Sequence, residues 1–577
     1  MTFLADRSEP SAAPSLARVL VASLLAATLM WSPAFSSLAA TGFNDWPYFH
    51  HLWEAGYASV TRYGEWPLWD PTQCGGVTLF GNPQSPYFSP LYWLALPLGP
   101  TLASKVFVVL HATVGFASMY WLARVDHGIS AAGATLASLA WGASGFFAGH
   151  VATGHAAFLP FCFAPLVLLL WRRAVGDARY AVWLACVLAL VLYEGGVYPF
   201  PYFALLFAFA AAASVFASRE LGPTLRAAAL TLLLTALLGA IRLLPIVDEL
   251  ARQPRTMASV DGVRPLEVLS MLTLRYLPFD ARTWGTSAHR YDWVEYGAYV
   301  GYGVLALGVL GFVACARRRR YAIVAGAAIF FALTLGDHGD ASPWSLLHRL
   351  PIYDSLRVPS RFAVLFTLFV ALAAGMGLDL LLRRLPRGRA LVAWLVVLGI
   401  GVDLAVVHRP VIDRWHDPAI RSAPVALRFH YAEGLSYGRD FPSLPRLNLG
   451  TIECYEAMQI VVAPGLWQGD VAQARIADGR GEVHAWGRTT TRVWADVTLA
   501  EPARVLFNQN HAPGWQSDHG AVVAERGQLA IDVPAGKQRI EIVYRPPTLW
   551  PGIGAFALGV ILCVVVLRRR VDRAARR

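Results

Sequence analysis

The sequence predicts a polytopic α-helical membrane protein of about twelve spans, with a β-rich domain outside the bilayer ahead of the last helix. Three observations predict it. Of 577 residues, 56% are apolar and 15% charged, against roughly 25% charged in an ordinary soluble domain, and the mean hydropathy is +0.45. Basic residues sit in short clusters beside apolar runs: Arg172 and Arg173, Arg219 and Arg226, Arg317 to Arg320, Arg383 to Arg389, and Arg568 to Arg577. Finally, residues 408–547 change character, carrying charges of both signs and short alternating stretches such as TRVWADVTL, QLAIDV and QRIEIVY between PAG and APGW turns, the pattern of strands.

Each bilayer-crossing window must satisfy its own backbone, so the spans are helices. The apolar runs do not alternate as an outer-membrane barrel requires. Placing every basic cluster on the cytoplasmic side gives spans at approximately 16–40, 101–123, 131–151, 155–171, 179–194, 198–217, 226–246, 297–315, 321–336, 362–382, 390–407 and 548–567, with both termini inside. The net charge of +11 therefore reads as a topology signal, not as a nucleic-acid surface. Residues 1–40 have an alternative reading as a cleaved signal peptide, since SSLAA offers small residues at a cleavage position. Residues 86–99 suit a re-entrant or interfacial helix.

Three segments lie outside on this topology. Residues 41–100 are dense in Trp, Tyr and Pro, as interfacial segments are, and 247–296 carries mixed charges that include Arg290, Asp292 and Glu295. The domain reading is thus a transmembrane domain over 1–407, the β-rich domain over 408–547, and a final helix with a basic cytoplasmic tail over 548–577. Cys74 and Cys454 both fall outside, where a disulfide between them is possible. The other cysteines lie in spans, and no metal-ligand spacing is present.

Charges near membrane depth are costly and mark function. Here they gather at external span ends: Asp45, His150, His155, Glu194, Arg242, Arg357 and Arg361. Asp45 has two readings. It is placed to cap the helix that starts WPYFHH, or to act as a shielded base that accepts a proton from a hydroxyl. Arg242, Arg357 and Arg361 are suited to a bidentate phosphate contact, with snorkelling to headgroups as the plainer role for Arg242. Glu194, beside two glycines, suggests backbone approach to a ligand, or a bend between spans. His155 is a binding candidate or a structural histidine. Trp46, Trp66 and Trp69 are suited to stack on sugar faces, although interfacial anchoring is their commoner use.

The strings GEWPLWDPTQCGGVTLFGNPQSPYFSPLYWL, ASGFFAGHVATGHAAFLPFCFAPLVLL, LRVPSRFAVLFTLFVALAAGMGLDLLL and APGWQSDHGAVVAERGQLAIDVPAGKQRIEIVYRPP resemble, in order, parts of the YfhO family of bacterial membrane proteins. That family is similar to the GT-C class of integral membrane glycosyltransferases, which take a sugar from a polyprenyl-phosphate carrier on the outer face. The resemblance implies a GT-C-like fold and moves Asp45 from cap to expected catalytic base, because the class places an acid just past its first helix. Gln84, in the NPQS element, joins Trp69, Glu194 and His155 as a substrate-binding candidate. Asn44-Asp45 stands where a pair of adjacent acids would favour a metal, so no metal ligands are assigned and a divalent cation lacks a paired-acid motif.

The expectation is an extracytoplasmic glycosyltransferase in the bacterial cytoplasmic membrane, inverting if displacement is direct. Its partners would be a polyprenyl-phosphate sugar donor, a glycan, lipid or protein acceptor, and membrane lipids. The donor phosphate would fall to Arg242, Arg357 or Arg361. The alternatives are a transporter or flippase for a lipid-linked saccharide, which would need midplane polar residues and repeated halves, and a non-catalytic assembly protein.

Overall fold

The computed structural model describes residues 15–568, apart from 219–220, 256, 259, 276, 318–319, 384–387, 414–422, 436, 439 and 456–458. Of the basic clusters, Arg219, Arg318, Arg319, Arg384, Arg387 and those beyond Arg568 lie outside the described residues. Among the described residues, eight helices are long and apolar enough to cross a membrane, and three more are apolar but shorter. The chain is a multi-pass membrane protein.

In chain order the main helices are α1 (Leu16–Trp31), α2 (Trp46–Tyr63), α3 (Pro100–Trp121), α4 (Ala131–Gly142), α5 (Gly145–Ala152), α6 (Ala164–Ala174), α7 (Ala178–Tyr193), α8 (Pro199–Ser218), α9 (Leu221–Arg252), α10 (Gly301–Arg317), α11 (Tyr321–Leu335), α12 (Ala363–Leu382), α13 (Arg389–Ile412) and α14 (Leu549–Arg568). Helix α12, AVLFTLFVALAAGMGLDLLL, is apolar on every side and buried along nearly its whole length, packed by α4, α10 and α11. An all-round apolar helix must be covered by protein or by lipid. Helices α13 and α14 take the second course, with 22% and 17% of their apolar windows buried inside the protein.

The span expected over 131–151 is two helices, broken at Ala143–Ser144, where the Gly145 N–H leaves the helical ladder and donates to Tyr299 C=O at 2.8 Å. The break turns α5 so that its far end, His150, faces the loop after it.

Strands follow the alternation seen in the sequence: β1 (Ala474–Asp478), β2 (Gly481–Arg488), β3 (Arg492–Leu499), β4 (Ala503–Asn510), β5 (Trp515–Gln516), β6 (Ala521–Glu525), β7 (Gln528–Val533) and β8 (Gly536–Tyr544). They form two antiparallel four-stranded sheets, ordered β6-β7-β4-β1 and β5-β8-β3-β2. Inward side chains Val493, Ala495 and Val497 of β3 meet Val505 and Phe507 of β4 and Ile531 of β7 across a sandwich core.

The segment 41–100, expected in the membrane interface, is instead packed inside the protein between the helices and the sandwich. Trp46, Trp53 and Trp69 are 1%, 3% and 1% exposed, and only Trp66, at 42%, is open. Trp69 enters the sandwich core against Trp515 and Tyr544, with ring centroids 5.3 and 4.9 Å away. The far end of α2 is held through Glu65, whose carboxylate accepts from the hydroxyls of Thr489, Thr490 and Thr491. Cys74 and Cys454 form a disulfide, and alongside it Cys74 N–H donates to Glu453 C=O and Thr451 N–H to Thr72 C=O, both at 3.1 Å.

Arg242, the candidate phosphate ligand on α9, holds this segment from below. It is 0% exposed; Nη1 donates to Phe80 C=O at 2.8 Å, and Nη2 donates to Asn82 C=O at 2.7 Å and Ser85 C=O at 3.2 Å. Replacing Arg242 by Met removes its three hydrogen bonds; the Asn82 carbonyl keeps the Ser85 N–H and hydroxyl, so the cost, about 1–3 kcal/mol for each carbonyl left bare, falls on those of Phe80 and Ser85. Thermal unfolding of the purified protein in detergent should therefore fall by many degrees, with the loss present whether or not any phosphate is added.

Candidate functional site around Asp45

Asp45 immediately precedes α2, where a carboxylate ordinarily accepts from the first free N–H groups of the helix. It makes no such bond, and Pro47 occupies the first turn. The carboxylate is turned outward instead. Oδ1 accepts from the Tyr455 hydroxyl at 2.6 Å, and Oδ2 lies 3.5 Å from His155 Nε2. With 27% of the side chain exposed, it is shielded without being sealed. The side chain leaves the cap unused and is turned to Tyr455 and His155.

The turn after α5 fixes this orientation. Asp45 N–H donates to Thr153 C=O at 3.1 Å, and Trp46 Nε1–H to Val151 C=O at 2.8 Å. So close an approach needs Gly154, at φ +95°: a Cβ there would stand 2.2 Å from Trp46 N and 2.7 Å from the Asp45 carbonyl carbon. This is the structural content of the ATGHAAF stretch.

Behind Asp45 the polar groups continue inward. His155 Nδ1 lies 2.7 Å from His150 Nδ1, so one ring donates there and the other accepts. Glu295 follows, paired bidentately with Arg361: Nε to Oε2 at 2.8 Å and Nη2 to Oε1 at 2.6 Å. Burial alone would raise the Glu295 carboxyl, but the Arg361 guanidinium, helped by His155, holds it well below the usual carboxylate range. Arg361 in turn lies over the rings of Tyr198 and Phe158, at 4.6 and 4.8 Å.

Arg357, half-buried, completes the cluster on the open side. Its guanidinium lies 5.7 Å from the Tyr291 ring centre, and its charge bears on both His155 and Tyr455. Arg361, Arg255 and Arg357 all act electrostatically on the Tyr198 hydroxyl. Several guanidinium groups thus bear on one region that also holds the acids Glu295, Asp45 and Asp261. The Tyr455 phenol is pushed up by burial and by the Asp45 carboxylate beside it, so it keeps its proton and donates.

His150, His155 and Glu295 bring two imidazoles and a carboxylate within 4.8 Å of one another, a donor set a divalent cation accepts. Both Glu295 oxygens are already bonded to Arg361, so an ion there would have to compete with a fixed positive charge.

The remaining sequence candidates lie elsewhere. Arg242 has both Nη groups committed to loop carbonyls, and Trp69 is buried in the sandwich core. Glu194 is buried against His111, Oε2 to Nε2 at 2.7 Å, and accepts from Ser89 Oγ at 3.1 Å. The backbone approach its glycines suggested is to Gln84: a Cβ on Gly195, at φ +72°, would sit 2.4 Å from the Gln84 carbonyl oxygen. At the bend the Gly195 backbone thus meets the Gln84 backbone, while the Glu194 carboxylate turns to His111 and Ser89. Asp45, His155, Arg357 and Arg361 are brought together. Sequence reasoning missed Tyr455, Glu295 and Arg255 as site residues. Tyr455 had one signal, its adjacency to Cys454.

An apolar groove of about 270 Å³ runs between α1, α3, α4 and α13, with Met30, Phe116, Leu139 and Leu404 on its walls, and reaches His408. His408 also lines a narrow crevice with Gly149, Phe279 and Val294, immediate neighbours of the His150 and Glu295 positions. Phe279 itself lies 5.6 Å from Phe43, two residues before Asp45.

No family model and no curated protein matches the chain. Among solved structures, the arabinofuranosyltransferase AftD from Mycobacteria is similar over 78% of this chain and 32% of its own, with 16% identity and a TM-score of 0.48. The oligosaccharyltransferase AglB from Archaeoglobus fulgidus, solved with an inhibitory peptide and a dolichol-phosphate, is similar over 69% of this chain and 55% of its own, with 15% identity and a TM-score of 0.39. The chain thus spans from under a third to little more than half the length of these proteins.

Breaking the buried pair tests the site's framework. Glu295→Gln strands the Arg361 charge and should cost about 3–5 kcal/mol of stability, of which the double variant Glu295→Leu with Arg361→Met should recover a large part. Because the folded Glu295 carboxyl is depressed, the stability it contributes is present above its unfolded value, about 4.3. It is lost as pH falls from there toward the folded value. Chemical-denaturant curves of wild type and Glu295→Gln should hold a constant separation from pH 8 to about 5 and converge only below that.

Proposed function

We propose that this protein is a glycosyltransferase of the GT-C kind, moving a sugar from a polyprenyl-phosphate carrier to an acceptor hydroxyl on the extracytoplasmic side of a bacterial membrane. The observation that carries the proposal is the Asp45 carboxylate, turned out of its cap and held half-shielded beside His155, with Arg357 and the Glu295–Arg361 pair in the same cluster. This reading keeps the likeness of the motif strings to the YfhO family, and the Cys74–Cys454 disulfide suits an oxidising, extracytoplasmic face.

In the proposed reaction Asp45 takes the proton of the acceptor hydroxyl as that oxygen attacks the anomeric carbon. The new carbon–oxygen bond forms while the bond from the anomeric carbon to the carrier phosphate breaks. The electron pair leaves on the phosphate oxygen, and the products are the glycosylated acceptor and polyprenyl phosphate. Direct displacement inverts the anomeric centre. Arg357 stabilises the charge growing on the leaving phosphate. The Glu295–Arg361 pair, electrically balanced within itself, positions His155 and so Asp45. The apolar groove ending at His408 accommodates the carrier's tail.

The polar groups cluster at one end of the helices, on the side of the sandwich, which favours this reading over a transporter that must expose a midplane site to both faces. The test is turnover in vesicles supplied with undecaprenyl-phosphate glucose, galactose, mannose or arabinofuranose and followed by release of undecaprenyl phosphate. Asp45→Asn should lower turnover of whichever donor is used by about 10²- to 10⁴-fold, the usual worth of a general base, with an unchanged unfolding temperature. Equal turnover by wild type and variant, or movement of intact donor across the bilayer without cleavage, would sink the proposal.

A further inference from the structure

Next to Asp45, on the side of the sandwich, is a cavity of about 260 Å³ whose walls include Tyr437, Phe441, Thr451, Glu453, Tyr455 and Gln468. We infer that it is the acceptor subsite and that the acceptor is a saccharide, an inference that rests on Asp45 being the base.

One wall is aromatic. The Tyr437 and Tyr455 rings lie 4.2 Å apart at 36°, and Tyr437 and Phe441 lie 5.3 Å apart; Tyr455 is 42% exposed. Aromatic faces receive the C–H face of a sugar ring. The rest is polar in the manner a polyol needs: a carboxylate on Glu453, an amide on Gln468 and a hydroxyl on Thr451 offer acceptors and donors to hydroxyl groups. Small-molecule sites usually begin near 300 Å³, so this cavity suits one sugar ring, not an extended chain. A lipid acceptor would need a long apolar wall, whereas Leu435 and Ala432 are the aliphatic side chains here.

Tyr455 joins the cavity to the chemistry. Its ring borders the cavity, and its hydroxyl donates to Asp45 Oδ1. An acceptor O–H entering from the cavity meets the same carboxylate oxygen by displacing that phenol. The wall is fixed in place: residues 451–454 are held to 72–75 by the disulfide and by three backbone hydrogen bonds, Cys74 N–H to Glu453 C=O, Thr451 N–H to Thr72 C=O and Gly75 N–H to Thr451 C=O. A rigid wall at this position can hold a bound ring in register with the base.

The test uses the full chain in nanodiscs without any donor. Saturation-transfer difference NMR is recorded with the methyl glycosides of glucose, galactose, mannose and arabinofuranose, and with sorbitol as an open-chain control. At least one glycoside should receive saturation at its ring protons well above sorbitol. Tyr437→Leu and Gln468→Ala should each weaken that binding roughly five- to tenfold, as loss of one packed or hydrogen-bonded contact does. Signals no stronger than sorbitol, or signals indifferent to both cavity variants at unchanged unfolding temperature, overturn the inference. Because no donor is present, that result stands apart from the turnover test of Asp45.

Discussion

Asp45 stands at the head of α2 yet makes no bond to the helix end, and keeping its carboxylate out of that cap is the constraint on which the arrangement around it depends. Its neighbour in sequence is the N-terminus of α2, which would capture it at once if the backbone allowed. Three contacts draw it away: the phenol of Tyr455, the imidazole of His155, and the backbone bond from Asp45 N–H to Thr153. Each comes from a distant part of the chain. The orientation of one small side chain therefore reports on the packing of the first external segment against α5 and against the segment ahead of the sandwich.

The buried arginines divide the work of building that environment. Arg242 gives both Nη groups to carbonyl oxygens and serves as a clamp on residues 80–85. Arg361 is paired through Nε and Nη2 with a carboxylate and contributes a balanced pair. Arg357, half-buried, lies beside the Tyr291 ring. The same residue type thus has three settings, fixed by what surrounds each guanidinium.

The features legible in the sequence were those written locally. Apolar runs gave the helices, alternation gave the strands of the sandwich, and an acid immediately after an apolar run gave Asp45. The Cys74–Cys454 pairing was open in the sequence and is formed in the structure. What remained hidden was contact across distance. Tyr455 meets Asp45 across 410 residues, and Glu295 meets Arg361 across 66, separations that no window of periodicity reaches. Trp69 misled for a related reason: a tryptophan beside prolines looks interfacial until a sandwich core from the other end of the chain closes over it. Glu194 did announce a close backbone approach through its glycines, but the approaching backbone was the protein's own.

That burial of Trp69 also has a bearing on how the molecule is made. A ribosome delivers the first external segment early, yet the hydrophobic slot for its indole is lined by Trp515 and Tyr544, which emerge near the end of synthesis. Until those strands have been made and have closed, residues 41–100 have no finished place to settle. Assembly is in this sense vectorial: the earliest piece to arrive is the last to be completed, and a chain halted before its final strands carries every helix of the bundle up to α13 with the Trp69 slot still open.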